Sequence, residues 1–561
     1  MIDQVQSLPG AVALTVVFFS SLCLTLVLSP VSVRVARKMN AIDRPCSRRV
    51  HRGCVPRLGG LAMAAAFFPI LVFFFRWDSH GAAFICGAGL VFLAGVMDDR
   101  SGISPRSKFL LQVAAVSVFM LLSGKTVTNL GDILGTGSIA TGWFSPALTI
   151  VAMTGVINAF NLSDGLDGLA AGLAGIACIF FIPFAYAQEN WNYLVILVAL
   201  LGTILGFLRF NTHPARLFMG DSGSLLLGFV MACTAVVLTQ GQGASAIYDY
   251  GPVTALIILS LPVADTLYVM FRRILQGRSP VRPDREHLHH RLLKMGLSHQ
   301  LTVSSIYALM FGMGILAWFV RPWPEWSQFY LVLGIYGFLY LVLYLVEKLS
   351  VNQNRKLTLI LRLAPASRIG RKVMGWTSRN SRLLYLIFWS VLFGLCLAAP
   401  GLALELKYYI VFTILFGLLF FSWRGNTAKA GINHAVLFFL TYTLILVLNL
   451  AFGPGTWFTP AMSVLSGAAL VLVGARVMFT RRLRVLWPGS LEILLLGMAL
   501  TAPIILHYTV YVDQEFRRLM QLAFFQTFPL FLLNRAYLRR NSHFYKKFMV
   551  FLVAALVVLM F

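Results

Sequence analysis

The chain has 561 residues, 58% of them hydrophobic and only 12% charged, with a mean hydropathy of +0.80. That composition excludes a soluble globule and points to an all-α, polytopic membrane protein. A formal charge of +26 would suggest nucleic acid in a soluble domain. Here the Lys and Arg concentrate in short loops between apolar runs, as positive-inside topology produces, so no nucleic-acid partner is expected.

The first apolar run, residues 12–35, is too long for a signal-peptide core and has no small-residue cleavage site before Arg34, Arg37 and Lys38. It is expected to remain as a span. The basic loop from Arg37 to Arg57 then belongs to the cytoplasm. Cys46 and Cys54 flank His51 in this loop without a paired zinc spacing, and most other cysteines fall inside apolar runs as small hydrophobes. Further spans follow near 58–75, 81–97, 106–123, 145–163, 172–187, 193–210, 223–240, 253–273, 301–320 and 328–346. This makes about 11 in all. The loops assigned to the opposite side, such as Gln188 to Asn190 and Gly241 to Tyr250, carry few basic residues. Residues 1–346 form a membrane-embedded core. Residues 347–382 read as a basic cytosolic linker lying on anionic headgroups. Beyond it, residues 383–561 hold about seven more spans, with basic loops around Arg481 and Arg539 and only isolated acids such as Glu405 and Glu492. This second module shows no carboxylate cluster and no repeat of the first.

Polar clusters recur where the apolar helices of the core should end, and all of them fall on the cytoplasmic side of this topology. Ionisable groups at membrane depth are costly and mark function by default. Asp98 and Asp99 close the third span. Adjacent on a helix, they point about 100° apart and cannot share one task. Lys108, one loop away, is placed to neutralise phosphate. In the fifth span Asn158, Asn161 and Asp164 recur every third residue and share a face. Gly165 and Gly168 are expected to break the helix there, letting backbone approach a ligand and turning Asp167 toward it. A buried Asn/Asp ladder gluing helices together is the alternative. Asn211 to Asp221 joins the seventh and eighth spans, and the turn Gly220 to Ser224 opens a long helix whose N–H groups and hydroxyls suit phosphate or metal-bound water. The Asp221 carboxylate favours a divalent cation bridging to phosphate, with a helix cap as its plainer role. His287, His289, His290 and Arg291 lie in a basic segment interrupted by Pro280 and Pro283. No Cys completes a zinc shell, so contacts to phosphate are the expectation, set against a solvated loop.

Together, Asp98-Asp99, the run from Asn158 to Leu169, the segment from Asn211 to Ser224 and His287 to His290 resemble the polyprenyl-phosphate N-acetylhexosamine-1-phosphate transferases. The resemblance spans roughly residues 10–346 and includes Arg48 to His51 and Pro56 to Gly60. The segment from Asp284 to Leu293 resembles the branch that transfers N-acetylglucosamine 1-phosphate for O-antigen, common antigen or teichoic acid. The resemblance implies UDP-GlcNAc and undecaprenyl phosphate as substrates, UMP as product, Mg2+ or Mn2+ as cofactor and an inner-membrane enzyme with a cytoplasmic cleft. It implies Asp221 with Asn161 at the metal, and Asp98 or Asp99 near the lipid phosphate. Lys108 and the histidine segment, with Arg291, would hold diphosphate. Asp164, Asp167, Asn211 and Phe218 would surround the uridine, and Asn158, Gly165 and Leu166 would also bind substrate. Another UDP-N-acetylhexosamine, or UDP-MurNAc-pentapeptide, would use the same chemistry. A homodimer stays open, as does attack through an aspartyl intermediate. A glycolipid flippase is the rival from another class, although transport needs access from both faces.

Overall fold

The computed structural model describes residues 10–39, 41–43, 55–240, 250–279, 286–353 and the single residue 526. The chain divides into two units, Met1–Lys356 and Leu357–Phe561. The seven C-terminal spans, the loops at Arg481 and Arg539, and Cys46, His51, Cys54, Pro280 and Pro283 lie outside the described residues.

Helix α1 (Gly10–Lys38) ends on Arg37 and Lys38, cations suited to the negative end of a helix. A two-residue strand pair follows, β1 (Ile42–Asp43) against β2 (Val55–Pro56). Helix α2 (Gly59–Phe74) is short, and α3 (Ser79–Ser101) starts at Asp78, whose carboxylate accepts from Gly81 N at 2.6 Å. It stops at Gly102, whose φ of 63° suits glycine. Helix α4 (Pro105–Ser123) is capped by Ser104 with Pro105 in its first turn. Helices α5 (Ser145–Ser163), α6 (Leu169–Ala187), α7 (Trp191–Asn211) and α8 (Gly220–Thr239) complete the central bundle.

The apolar stretch of α7 is buried along its whole length, packed by α1, α6 and α2. Helix α8 is nearly as enclosed, between α5, α3, α2 and α6. A helix apolar all round belongs at the centre of such a bundle. Outward positions are apolar too, with Leu121, Val151 and Phe338 exposed, the pattern that a hydrocarbon solvent requires. Among the described residues nine helices are long and apolar enough to cross a membrane, and a bent pair adds a tenth.

That bent pair corrects the single span expected over 253–273. Helices α9 (Pro252–Ile258) and α10 (Ser260–Leu275) meet at an angle of 82°. Pro262 offers no N–H to the Ile258 carbonyl and its ring crowds that oxygen, which favours the bend at Leu259. Ser260 Oγ donates to the Ile257 carbonyl at the bend. A short helix α11 (Leu288–Lys294) carries the histidine segment, followed by α12 (His299–Val320) and α13 (Glu325–Gln353). Residues 347–353 therefore continue the last described helix.

Candidate active site

The last turn of α3, the first turns of α4 and α8 and the last turn of α5 meet at one end of the bundle. Lys108 Nζ donates to Asp98 Oδ2 at 3.0 Å, to Asn161 Oδ1 at 3.3 Å and, in a short contact, to Asp221 Oδ2. Asn161 Nδ2 donates to Asp221 Oδ1 at 3.2 Å and to Ser224 Oγ at 2.8 Å. Oxygens from three separate helices thus converge on one cationic nitrogen. A hard divalent cation takes carboxylate and amide oxygens of this kind, so the donor set fits Mg2+ or Mn2+.

The adjacent aspartates have different surroundings. Asp98 faces Lys108, whereas the Asp99 side chain is fully buried. Asp99 accepts from Asp221 N at 2.8 Å and from Ser222 N and Oγ at 3.0 and 2.7 Å. Its carboxylate therefore occupies the positive end of α8. This corrects two expectations. The backbone N–H groups of Asp221 and Ser222 are taken by Asp99 rather than left for phosphate, and the cap of α8 is Asp99 rather than Asp221. Close backbone approach makes this possible. A Cβ on Gly220, whose φ is +74°, would lie 2.5 Å from Asp99 Oδ2, and one on Gly95 would lie 2.3 Å from Ser222 Cα.

The face shared by Asn158, Asn161 and Asp164 splits between roles. Asn158 exchanges amide hydrogen bonds with buried Gln112 of α4, at 2.7 and 3.4 Å. It joins helices, as the ladder alternative had it. The break after Ser163 occurs as expected, and Gly168 has a φ of +81°. Half-buried Asp164 sits on it, and burial, followed by the charges of Asp221 and Asp99, pushes its carboxyl up to about 7. Leu166 is buried in the core, so its side chain is no ligand contact, while Gly165 is exposed beside His289. Asn211 is also buried. It accepts from Gly168 N and donates to the Leu217 carbonyl, both at 2.9 Å, stapling the break to the following loop instead of facing a ligand. Phe218 is half-buried and its backbone pairs with Pro56 and Gly59.

Asp167 gathers histidines that sequence reasoning missed. His213 Nδ1 donates to its Oδ2 at 2.7 Å, Ala215 N donates to the same oxygen at 3.1 Å, and Asp167 N donates to His299 Nε2 at 3.2 Å. Burial alone would raise this carboxyl, yet hydrogen bonds from His213 and Ala215 N, in a pocket of histidines, hold it below the usual range. The rings of His213 and His299 stack with centroids 4.0 Å apart. The three ligand-type atoms lie within 4.8 Å of one another, and of them only His213 Nδ1 and Asp167 Oδ2 share a hydrogen bond, His299 Nε2 standing 3.8 Å from that oxygen.

The histidine segment departs most from expectation. Arg291 makes a bidentate pair with Glu347, at 2.8 and 3.0 Å, and lies over the rings of Tyr268 and Tyr340. Its charge is spent inside the protein rather than on diphosphate. His289 is buried against Gly165, and burial, with His290, His287 and His299 nearby, holds it well below the usual histidine range and therefore neutral. The His290 ring lies tilted at 43° to it, the centroids 4.2 Å apart. His287 Nδ1 is held by Asp265 Oδ2 at 2.9 Å, while Asp265 Oδ1 accepts from Leu288 N at 2.8 Å. Asp265 and Gln112 were both visible as solitary polar residues in apolar runs. That is the signal that would have found them.

With this geometry in view, comparison with known proteins is informative. Residues 81–239 match the model of glycosyl transferase family 4. A probable undecaprenyl-phosphate N-acetylglucosaminyl 1-phosphate transferase of Bacillus subtilis (strain 168) is 32% identical over 332 residues, covering 59% of this chain and 91% of the relative. The chain belongs to this family of polyprenyl-phosphate N-acetylhexosamine-1-phosphate transferases. Undecaprenyl-phosphate alpha-N-acetylglucosaminyl 1-phosphate transferases of Escherichia coli (strain K12) and Yersinia pestis are 31% and 30% identical. They cover 54% and 55% of this chain, and 85% and 86% of their own lengths. The protein is a phosphotransferase embedded in a membrane.

Proposed function

We propose that this enzyme transfers N-acetylglucosamine 1-phosphate from UDP-GlcNAc to undecaprenyl phosphate, releasing UMP, at the cytoplasmic face of the inner membrane. The product would begin a cell-surface polysaccharide of the O-antigen, common antigen or teichoic acid type. The observation that carries the reading is the convergence of Asp98, Asn161 and Asp221 on Lys108 at one end of the bundle, in a chain whose relatives bear that activity in their names.

The chemistry follows from charge. An oxygen of the lipid phosphate forms a bond to the sugar-linked phosphorus as the bond from that phosphorus to the UMP oxygen breaks. The attacking oxygen is already anionic near neutral pH, so Asp98 is needed only to take its last proton. Lys108 meets the negative charge that develops on the departing phosphate. Asp221 and Asn161 would hold Mg2+ or Mn2+, which supplies charge neutralisation of the diphosphate when bound. Asp99 acts through others, fixing the start of α8 and with it the Asp221 carboxylate. Asp164 and Asp167, on the broken helix, border the nucleotide.

The test is UMP release from UDP-GlcNAc by purified protein in detergent, with and without undecaprenyl phosphate and Mg2+, beside Asp221→Asn. Release that requires lipid, metal and Asp221 is the expected result, with the variant down by about a thousandfold or more. Near-normal turnover in a folded Asp221→Asn protein would remove the metal assignment. Absence of release with UDP-GlcNAc, but not with another UDP-N-acetylhexosamine, would change the sugar alone.

A further inference from the structure

The reaction cluster is short of positive charge. Two carboxylates, Asp98 and Asp221, meet Lys108, two more, Asp99 and Asp164, lie close to Asp221, and the ammonium is enclosed by three oxygens. Both substrates of the proposed transfer are anionic as well. A second fixed cation, Arg57, is present in the segment Pro56 to Gly60, and the resemblance that includes this segment gives it no role.

Arg57 sits between β2 and α2, and its backbone is built into the start of α8. Arg57 N donates to the Ala41 carbonyl at 3.1 Å, and Phe218 N donates to the Pro56 carbonyl at 2.8 Å. Gly59 N and Gly60 N donate to the Phe218 and Met219 carbonyls at 2.9 and 2.7 Å. A Cβ on Gly220 would fall 2.5 Å from the Arg57 carbonyl oxygen. The residue is therefore held in place by the same segment that carries Asp221.

Its side chain is not consumed by this packing. The guanidinium Nη2 lies 3.9 Å from Asp99 Oδ1, too far for a hydrogen bond, and Asp99 already accepts three. About a third of the side chain is exposed, and its charge reaches Asp164. Arg291, by contrast, commits Nε and Nη2 to Glu347 and has its third nitrogen, Nη1, buried inside the protein. A planar fork of unfilled donors beside a cluster that handles phosphate is the arrangement that grips phosphate oxygens in pairs.

We propose that Arg57 is a phosphate-binding residue of the reaction centre, its guanidinium gripping non-bridging oxygens of a substrate phosphate beside Asp99 and Asp221. This rests on the transferase reading. The phosphate belongs either to the nucleotide sugar or to the lipid acceptor, and kinetics separate the two.

The experiment compares wild type, Arg57→Lys and Arg57→Gln in detergent. It reads KM for UDP-GlcNAc and for undecaprenyl phosphate separately, together with the thermal midpoint with and without UDP or undecaprenyl phosphate. The expected result is a rise of about tenfold or more in KM for one substrate with Arg57→Gln, and a smaller rise with Arg57→Lys, which keeps charge and loses the fork. Stabilisation by the matching ligand should weaken in parallel. Constants within about twofold of wild type in both variants would overturn the proposal. So would an equal loss with both substrates that follows the unliganded thermal midpoint, because Arg57 would then only balance Asp99. Arg57→Lys retains the positive charge and serves if Arg57→Gln does not fold. The ligand-shift arm needs no turnover, so failure of wild type to transfer GlcNAc 1-phosphate stays distinguishable from failure of the Arg57 assignment.

Discussion

The Asp98–Lys108–Asp221 cluster and the His287–Arg291 segment are both charged islands in an apolar chain, yet they handle charge differently. In the first, carboxylates from α3 and α8 face one lysine and keep partial access to solvent. In the second, Arg291 is closed off by Glu347 and two tyrosine rings, His287 is tied to Asp265, and His289 is buried neutral. One region leaves its polar groups partly open to solvent, and the other uses His287 and Arg291 to anchor α11 against α10 and α13. Polar residues at membrane depth are thus not uniformly functional. What distinguishes the two regions is exposure, since the first cluster's pairs stay partly open to solvent whereas Arg291, His287 and His289 are buried.

Breaking the comparison at its reactive side should have the largest effect. Lys108→Met is expected to lower kcat/KM by about a thousandfold, measured by UMP release, while the protein still elutes as a folded species. Asp99→Ala should lower both activity and stability. It strips the α8 start of its carboxylate cap, which is worth about 1–2 kcal/mol, and it lets the Asp221 carboxylate drift, for a loss of about a hundredfold in turnover. Arg291→Met tests the other side. It leaves Glu347 without its partner and should cost about 2 kcal/mol, discounted because Glu347 is partly exposed. Thermal unfolding in detergent should show that loss with KM for UDP-GlcNAc little changed. A large KM rise at an unchanged midpoint would return Arg291 to the ligand.

The smallest effect concerns pH. Asp164 is raised to about 7 in the fold from an ordinary value near 3.8. Between those values the folded state binds more protons than the unfolded one, so this group stabilises at low pH and its contribution is lost as pH rises through about 7. Asp167 is lowered, so its contribution is present above the ordinary carboxylate range and fades as pH falls. The thermal midpoint of Asp164→Asn relative to wild type should therefore fall least, or rise most, at the alkaline end of a titration from pH 5 to 8. A flat difference would show that Asp164 titrates like an exposed carboxylate.

Much of the architecture was legible in the sequence. Apolar run lengths located the helices, and Asp78, Ser104, Asn190 and Ser298 cap four of them through side-chain hydrogen bonds. The break at Gly165 to Gly168 was also legible, because two Asp-Gly steps interrupt an apolar period. The bend at Leu259 was missed although Pro262 was visible, since apolar content alone made 253–273 read as one span. Within the site, spacing grouped Asn158 with Asn161, but a helical face does not say which neighbouring helix it meets. Asn158 meets Gln112 on α4 and Asn161 meets Asp221 on α8.

The sequence by itself determined that this is a helical membrane protein with acidic, amide and histidine groups at its helix ends. Residue type and hydropathy suffice for that, because transfer of apolar side chains from water is local and additive. Only the tertiary structure decided which of those groups are spent. Asp98 and Asp99 are neighbours in sequence, yet a turn of 100° sends one to Lys108 and the other into the start of α8. The same holds for Arg57 and Arg291, equal in charge, of which only Arg291 meets a carboxylate at hydrogen-bond distance. Pairing depends on distance and burial between segments far apart in the chain, and no local pattern encodes it.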